Sequence, residues 1–251
     1  MLGTYLNTFV VNFHNDRKVV ARVLNYDIHF EKFDILEYLF RDIFLARNYY
    51  FFSESETPVI FDCGSNIGMS VIYFKWLYPN CQIEAFEPSD EAFALLETNI
   101  KQNDLKDVVL HNAAVTKVGD SVDLFYDAQT ATHLRMSTVR DRFPKQSKKV
   151  AAVQLSEFVN KKVDMLKLDI EGAESDVLEE LAGAGKLPLI RHLTLEYHHH
   201  IRLAEDRLSS VLRILEQNSF GYHISTKPCS PSRHPIFQDI MIFAYNKNDA
   251  H

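Results

Sequence analysis

Apolar and polar positions change rhythm near residue 58 of the chain. Before that point, residues 5–13 and 19–24 alternate or run apolar on either side of His14-Asn15-Asp16-Arg17, a turn-like stretch that predicts a hairpin. Ile35, Leu36, Leu39, Phe40 and Ile43 then recur at helical spacing, so a helix N-capped by Asp34 and running to about Arg47 is expected. Residues 54–58 are a short polar connection. This sets residues 1–57 apart as a small N-terminal α+β layer and residues 58–251 as the main domain.

From Pro58 onward strands and helices alternate. Residues 59–61, 82–86, 108–110, 163–168 and 190–196 read as buried strands, with 122–126 as an accessory one. Helices are expected over 66–77, from a Ser89 or Asp90 cap through Ile100, over about 175–181 and over 204–216. Gly183 and Gly185 stand where the third of these should stop. The alternation predicts an α/β fold with a mostly parallel sheet and helices on both faces. The last two strands, 221–225 and 236–245, are joined only by a Pro/Ser-rich loop. They are expected to be antiparallel, because a parallel crossover needs a covering element. Residues 127–149 show no steady period and carry Arg135, Arg140, Arg142, Lys145, Lys148 and Lys149. This stretch reads as a solvated loop, or as a lid or contact for an acidic substrate.

Composition narrows the classes of function. A 46% hydrophobic fraction with 12% aromatic residues supports a real core and argues against disorder. With 27 basic and 34 acidic side chains, a net charge of −7 disfavours a sequence-independent grip on nucleic acid. No apolar run approaches the ~20 residues of a membrane span, and the start lacks the pattern of a secretory signal. Cys63, Cys81 and Cys229 are odd in number and far apart, which suits a reduced, cytoplasmic protein. Neither Cys-x-x-Cys nor His-Glu-x-x-His occurs, so no structural zinc site is expected.

Three stretches carry candidate chemistry. In the first, the strand ending at Asp62 enters a glycine turn, Gly64-Ser65-Asn66-Ile67-Gly68, and then a helix. Gly64 would let the backbone approach a ligand, and Gly68 would let the helix pack close to the strand. In the second, Glu87 stands at a strand tip 25 residues beyond Asp62, followed by Pro88, where an acid can accept both hydroxyls of a ribose. Asn66 occupies the place of the middle glycine of a dinucleotide fingerprint, and no P-loop occurs. A ligand with a ribose but no pyrophosphate is therefore favoured, and S-adenosylmethionine fits both constraints. In the third stretch, Asp169 ends an apolar strand, and Glu171 and Glu174 share one face at the start of the next helix. Three carboxylates at one tip need something to neutralise them: a cation, a sulfonium or a shared proton. A divalent metal is allowed by this spacing but not required by it. Each of these acids could instead simply answer a helix macrodipole.

Together these residues resemble the ordered motifs of FkbM-type methyltransferases. The likeness rests on Asp62-Cys63-Gly64-Ser65-Asn66-Ile67-Gly68, on Phe86-Glu87-Pro88, and on Lys167-Leu168-Asp169-Ile170-Glu171-Gly172-Ala173-Glu174. An upstream segment, Phe44-Leu45-Ala46-Arg47-Asn48-Tyr49-Tyr50-Phe51, is also similar, and the resemblance covers roughly residues 28–245. Cys63 and Ser65 depart from it, standing where small apolar residues are expected. The resemblance implies a Rossmann-like, seven-stranded, mostly parallel sheet whose last strand is antiparallel. It also implies S-adenosylmethionine-dependent O-methylation of a small-molecule acceptor such as a sugar or natural product. Carried over, Asp62, Gly64, Asn66 and Gly68 would line the methionine end of the donor, with Ser65 beside them. Glu87 would hold the ribose, next to Pro88. Asn112 and Ala113 would lie beside the adenine, and Asp169 and Glu171 would face the methyl and acceptor region.

An acceptor hydroxyl must shed a proton, so a base is expected within hydrogen-bond reach. The candidates are Asp169, Glu171, Glu174 and His198, which follows the fifth strand. His198 to His200 could equally be a surface loop, and Glu196 could point into the site or pair with a helix. The competing functions are a nicotinamide-dependent oxidoreductase, a nucleic-acid methyltransferase and a binding protein that kept the fold without turnover. The aromatic-rich N-terminal layer could pack on its own domain or on a second copy, which leaves a homo-oligomer open.

Overall fold

The computed structural model describes residues 10–13, 19–126, 136–142, 146–201, 206–226 and 238–249. An antiparallel sheet of β1 (Val10–Phe13), β2 (Val19–Val23) and β3 (Tyr26–Phe30) comes first. The expected hairpin is β1 and β2, with its turn outside the described residues; β3 extends it. Helix α1 (Phe33–Phe40) starts one residue before Asp34, which lies in the first turn instead of capping it, and a wider π-helical turn, Arg41–Leu45, carries the helix on.

The main domain then runs β4 (Val59–Cys63), α2 (Met69–Leu77), β5 (Gln82–Phe86), α3 (Asp90–Gln102), β6 (Val108–His111), β7 (Ala114–Val115) and β8 (Asp120–Tyr126). It continues with β9 (Met136–Ser137), β10 (Gln146–Val153), β11 (Val163–Leu168), α4 (Glu174–Gly183), β12 (Ile190–His199), α5 (Leu208–Gln217), β13 (Phe220–Thr226) and β14 (Gln238–Asn246). Seven strands form the central sheet in the order β13-β14-β12-β11-β4-β5-β6. β14 runs antiparallel to both its neighbours, and the other pairings are parallel. From β4 the chain moves outward through β5 and β6, then returns to β11 on the opposite side of β4. The strand order thus reverses between β4 and β11, which opens a crevice at their carboxyl ends.

Side-chain alternation distributes the core over the two faces of this sheet. Ile60 and Met165 join α2 and the N-terminal layer, whereas Phe61, Cys63, Leu166 and Leu168 join α4 and α5. Ala21, Ile28, Leu36 and Phe44 share one buried cluster with Ile72, Phe74 and Leu96, so the layer and the main domain bury their apolar surface together. Amides of α3 bind the layer as well. Asn99 accepts from the His29 amide at 2.6 Å and donates to the His29 carbonyl at 3.0 Å. Asn103 repeats the pattern on Asp27, at 2.8 Å both ways.

Several expected boundaries shift, among them that of the last helix, which begins at Leu208 rather than residue 204. α2 begins at Met69 rather than residue 66, because Gly64, Asn66 and Gly68 all take left-handed backbone conformations, with φ of 85°, 49° and 91°. β12 runs three residues further than expected, because Tyr197, His198 and His199 keep pairing with Ile240, Asp239 and Gln238 of β14. Residues 146–149 are not loop but the start of β10, paired with β8 in a second, four-stranded sheet ordered β7-β10-β8-β9. Its Lys148 pairs with Glu91 at 2.7 Å and Lys149 with Asp123 at 3.2 Å. Arg135, Lys145 and Cys229 lie outside the described residues. Among the described residues no helix is long and apolar enough to cross a membrane.

Candidate active site

The turn after β4 is built on a buried ion pair. Asp62 is wholly buried and accepts from the Ser70 hydroxyl at 2.5 Å. Lys167, on the facing strand β11 and 2% exposed, brings its ammonium to 3.1 Å from Asp62. The same ammonium donates to the Gly64 carbonyl at 2.9 Å, lies 3.8 Å from Asp169 and sits 4.9 Å over the Tyr49 ring. Burial would release the Lys167 proton, but Asp62 and Asp169 outweigh it and hold the pKa above its ordinary value. Gly64 is required by contact as well as by φ: a Cβ there would fall 1.8 Å from the Asp169 carbonyl oxygen. The close approach it permits is therefore first of all between two strand ends. Gly68 caps α2, and its missing Cβ makes room for Leu96 of α3 rather than for the strand.

Glu87 closes the other side of the turn. Its two oxygens accept from the Asn66 amide at 2.9 Å and the Ser89 amide at 2.8 Å. Burial raises its pKa to about 7 against the pull of those two amides. Each carboxylate oxygen keeps a second lone pair for a ligand. Asn112 donates to the Glu87 carbonyl at 3.1 Å and so braces this tip.

Beyond β11 the chain makes a tight turn before α4. Glu171 and Gly172 take φ of 60° and 113°, so Glu171 precedes the helix and does not share a helical face with Glu174. The carboxylates come together through the turn instead. Glu174, 1% exposed, accepts from the Gly172 amide at 2.9 Å and from His198 Nδ1 at 2.7 Å. His198 Nε2 then faces Glu171 at 3.2 Å, Asp239 at 3.9 Å and Asp169 at 4.0 Å. His198 is buried in β12 and is not part of a surface loop. Burial would lower its pKa, but Glu174 and Glu171 outweigh this and hold it at about 10. Burial pushes the Glu171 and Glu196 carboxyls upward. Arg142 pairs with Glu171, and Tyr49 donates to Asp169 at 3.0 Å.

One cavity of about 710 Å³ joins these parts. Gly64, Ser65, Asn66, Glu87, Pro88 and Ala113 line one end, and Asp169, Glu171 and His198 line the other. Asp62, Gly68, Asn112 and Glu174 stand behind the wall and support residues that line it. Glu196 reaches the cavity, one of its two expected placements, as does Arg142 from the stretch read as a loop or substrate contact; Asp239, Lys167 and Tyr49, with no site role expected, line it too. Lys167 had a signal: a lysine inside a wholly buried strand must be paired. Asp239 had none, because only the register of β14 on β12 brings it opposite His198.

Residues 62–224 match the family described as Methyltransferase FkbM domain. Methyltransferase 1 of Beauveria bassiana is 31% identical over 168 residues, covering 58% of this chain and 67% of that protein. The 31-O-demethyl-FK506 methyltransferase FkbM of Streptomyces tacrolimicus is 26% identical over 216 residues, covering 73% of this chain and 81% of that protein. A crystal structure of methyltransferase FkbM from Methylobacillus flagellatus shares the fold, with a TM-score of 0.50 and 16% identity over 77% of this chain. This chain spans 45% of the length of that one.

Proposed function

The chain belongs to the FkbM methyltransferase family, and from that premise we propose that it moves a methyl group from S-adenosylmethionine to a hydroxyl of a small polar acceptor. The observation that carries this reading is the continuity of the cavity from Glu87, at the tip of β5, to the acids at the tips of β11 and β12. The donor's ribose hydroxyls would donate to Glu87. Its adenine would lie on Ala113, Ala114 and Val115, and its methionine along residues 64–66 beside Asp169.

The sulfonium is already a good leaving group, so the site's main task is to align the acceptor oxygen with the methyl–sulfur bond. Asp169, Glu171 and His198 are in reach of an acceptor in the cavity, whereas Glu174 holds His198 from behind. Glu174 and Glu171 favour the charged form of His198 over the neutral imidazole that a base requires, so we do not assign it that role. We assign proton acceptance to Glu171, whose carboxyl burial pushes toward the working pH. The acidic lining suits an acceptor rich in hydroxyls, since carboxylates accept hydrogen bonds and donate none. The test is turnover with methyl-13C donor over a panel of sugars and hydroxylated natural products. Carbon NMR should place the label on oxygen. Label found on nitrogen, on carbon or in RNA would overturn the reading.

A further inference from the structure

We infer that Arg142 is a positioning residue: it fixes the Glu171 carboxylate so that Oε1 alone is open to take a proton from the acceptor. Arg142 comes from the basic stretch that follows β8, and it lines the cavity with Glu171. Its Nη2 pairs with Glu171 Oε2, which is buried. The same oxygen lies 3.2 Å from Nε2 of His198. Two cationic side chains thus occupy one carboxylate oxygen, and the other is left for the acceptor.

The backbone that carries Arg142 is fastened to the acid turn. The Ser137 hydroxyl donates to the Glu171 carbonyl at 2.5 Å and accepts from the Val139 amide at 2.9 Å. The Arg142 amide donates to the Val139 carbonyl at 3.2 Å. Gly172 makes room for this packing, since a Cβ there would fall 3.2 Å from Val139 Cγ2. Residues 136–142 and the turn at 171–172 therefore hold guanidinium and carboxylate in one arrangement.

The charged groups that face Glu171 are Arg142 from residues 136–142, His198 of β12, Asp169 at the end of β11 and Glu174 at the start of α4, with Asp239 of β14 near the same ring nitrogen of His198. Burial raises the Glu171 pKa, His198 and Arg142 draw it back, and Asp169 and Glu174 add to the rise. Without Arg142 the carboxyl would keep its proton to higher pH. In turnover the acceptor's proton passes to Oε1, the oxygen–methyl bond forms, and the methyl–sulfur bond breaks with its electron pair on sulfur. That role rests on the methyl-transfer reading; the hold of Arg142 on Glu171 does not.

The experiment is carbon NMR of the full chain carrying 13C-δ glutamate, without donor, over roughly pH 5 to pH 9, a span that brackets an upward-shifted carboxyl. Glu171→Gln identifies the Glu171 resonance by its loss. In Arg142→Met, which removes the charge and keeps most of the side-chain length, the Glu171 midpoint should rise by about 1 pH unit, and Arg142→Lys should return most of it. The sign separates charge from scaffolding. If Arg142 only held residues 136–142 in place, its loss would admit water to Glu171 and the midpoint would fall. Ser137→Ala loosens the same segment with the guanidinium kept, so its midpoint should stay or fall. A midpoint unchanged or lowered in Arg142→Met, or raised as far in Ser137→Ala, overturns the proposal. With an acceptor from the labelled-donor panel, Arg142→Met should lose about tenfold in rate near neutral pH and regain it as pH climbs. A raised midpoint with the label on nitrogen or carbon rejects the hydroxyl reading alone.

Discussion

Glu87 ties the proposed donor end together, because its carboxylate holds the Asn66 turn and the start of α3 at once. Its raised pKa has a consequence for binding. Ribose hydroxyls donate hydrogen bonds and so prefer the ionised carboxylate, which forms only as pH rises through about 7. Affinity for S-adenosylhomocysteine should therefore rise roughly tenfold from pH 6 to pH 8, following the ionised fraction of one group. Calorimetry across that range checks it. Glu87→Gln should bind weakly with no such slope, and a flat wild-type profile would count against the ribose assignment. At the other end, His198 shows what residue identity alone leaves undecided. Three consecutive histidines look alike in sequence, but strand alternation buries His198 against Glu174 and leaves its neighbours nearer solvent.

At the scale of elements, strands were legible by their pattern. β11, buried along its whole length, and β5, which alternates polar and apolar residues, both fall on their expected residues. β10 was not, because its first four residues, Gln146-Ser147-Lys148-Lys149, are polar and take their place from pairing with β8. The acid turn was legible in composition but not in geometry. Glu171 and Glu174 converge through left-handed backbone at Glu171 and Gly172 and not through helical spacing. Lys167 joins β4 to β11 across their tips, and its loss would leave Asp62 buried and uncompensated. Lys167→Met should lower unfolding free energy by about 3–5 kcal/mol in urea titrations, and adding Asp62→Asn should recover part of that. A loss below ~1 kcal/mol would mean that the pair behaves like an exposed one.

For the whole molecule, the mostly parallel sheet and its antiparallel last strand could be read from the alternation of elements and the closing hairpin. The role of the N-terminal layer could not, since it depends on a core shared across residue 58 and on Asn99 and Asn103 reaching back to β3. That layer also supplies Tyr49, which donates to Asp169 and lies over Lys167, so it completes the wall of the cavity. The family membership and the cavity meet in one claim: donor and acceptor lie end to end across the tips of β5, β4, β11 and β12. A crystal structure of the protein with S-adenosylhomocysteine tests it most directly. The account predicts ribose hydroxyls on Glu87 and the sulfur directed at Asp169 and Glu171. A ligand seated elsewhere, or one whose sulfur points away from those acids, would contradict it.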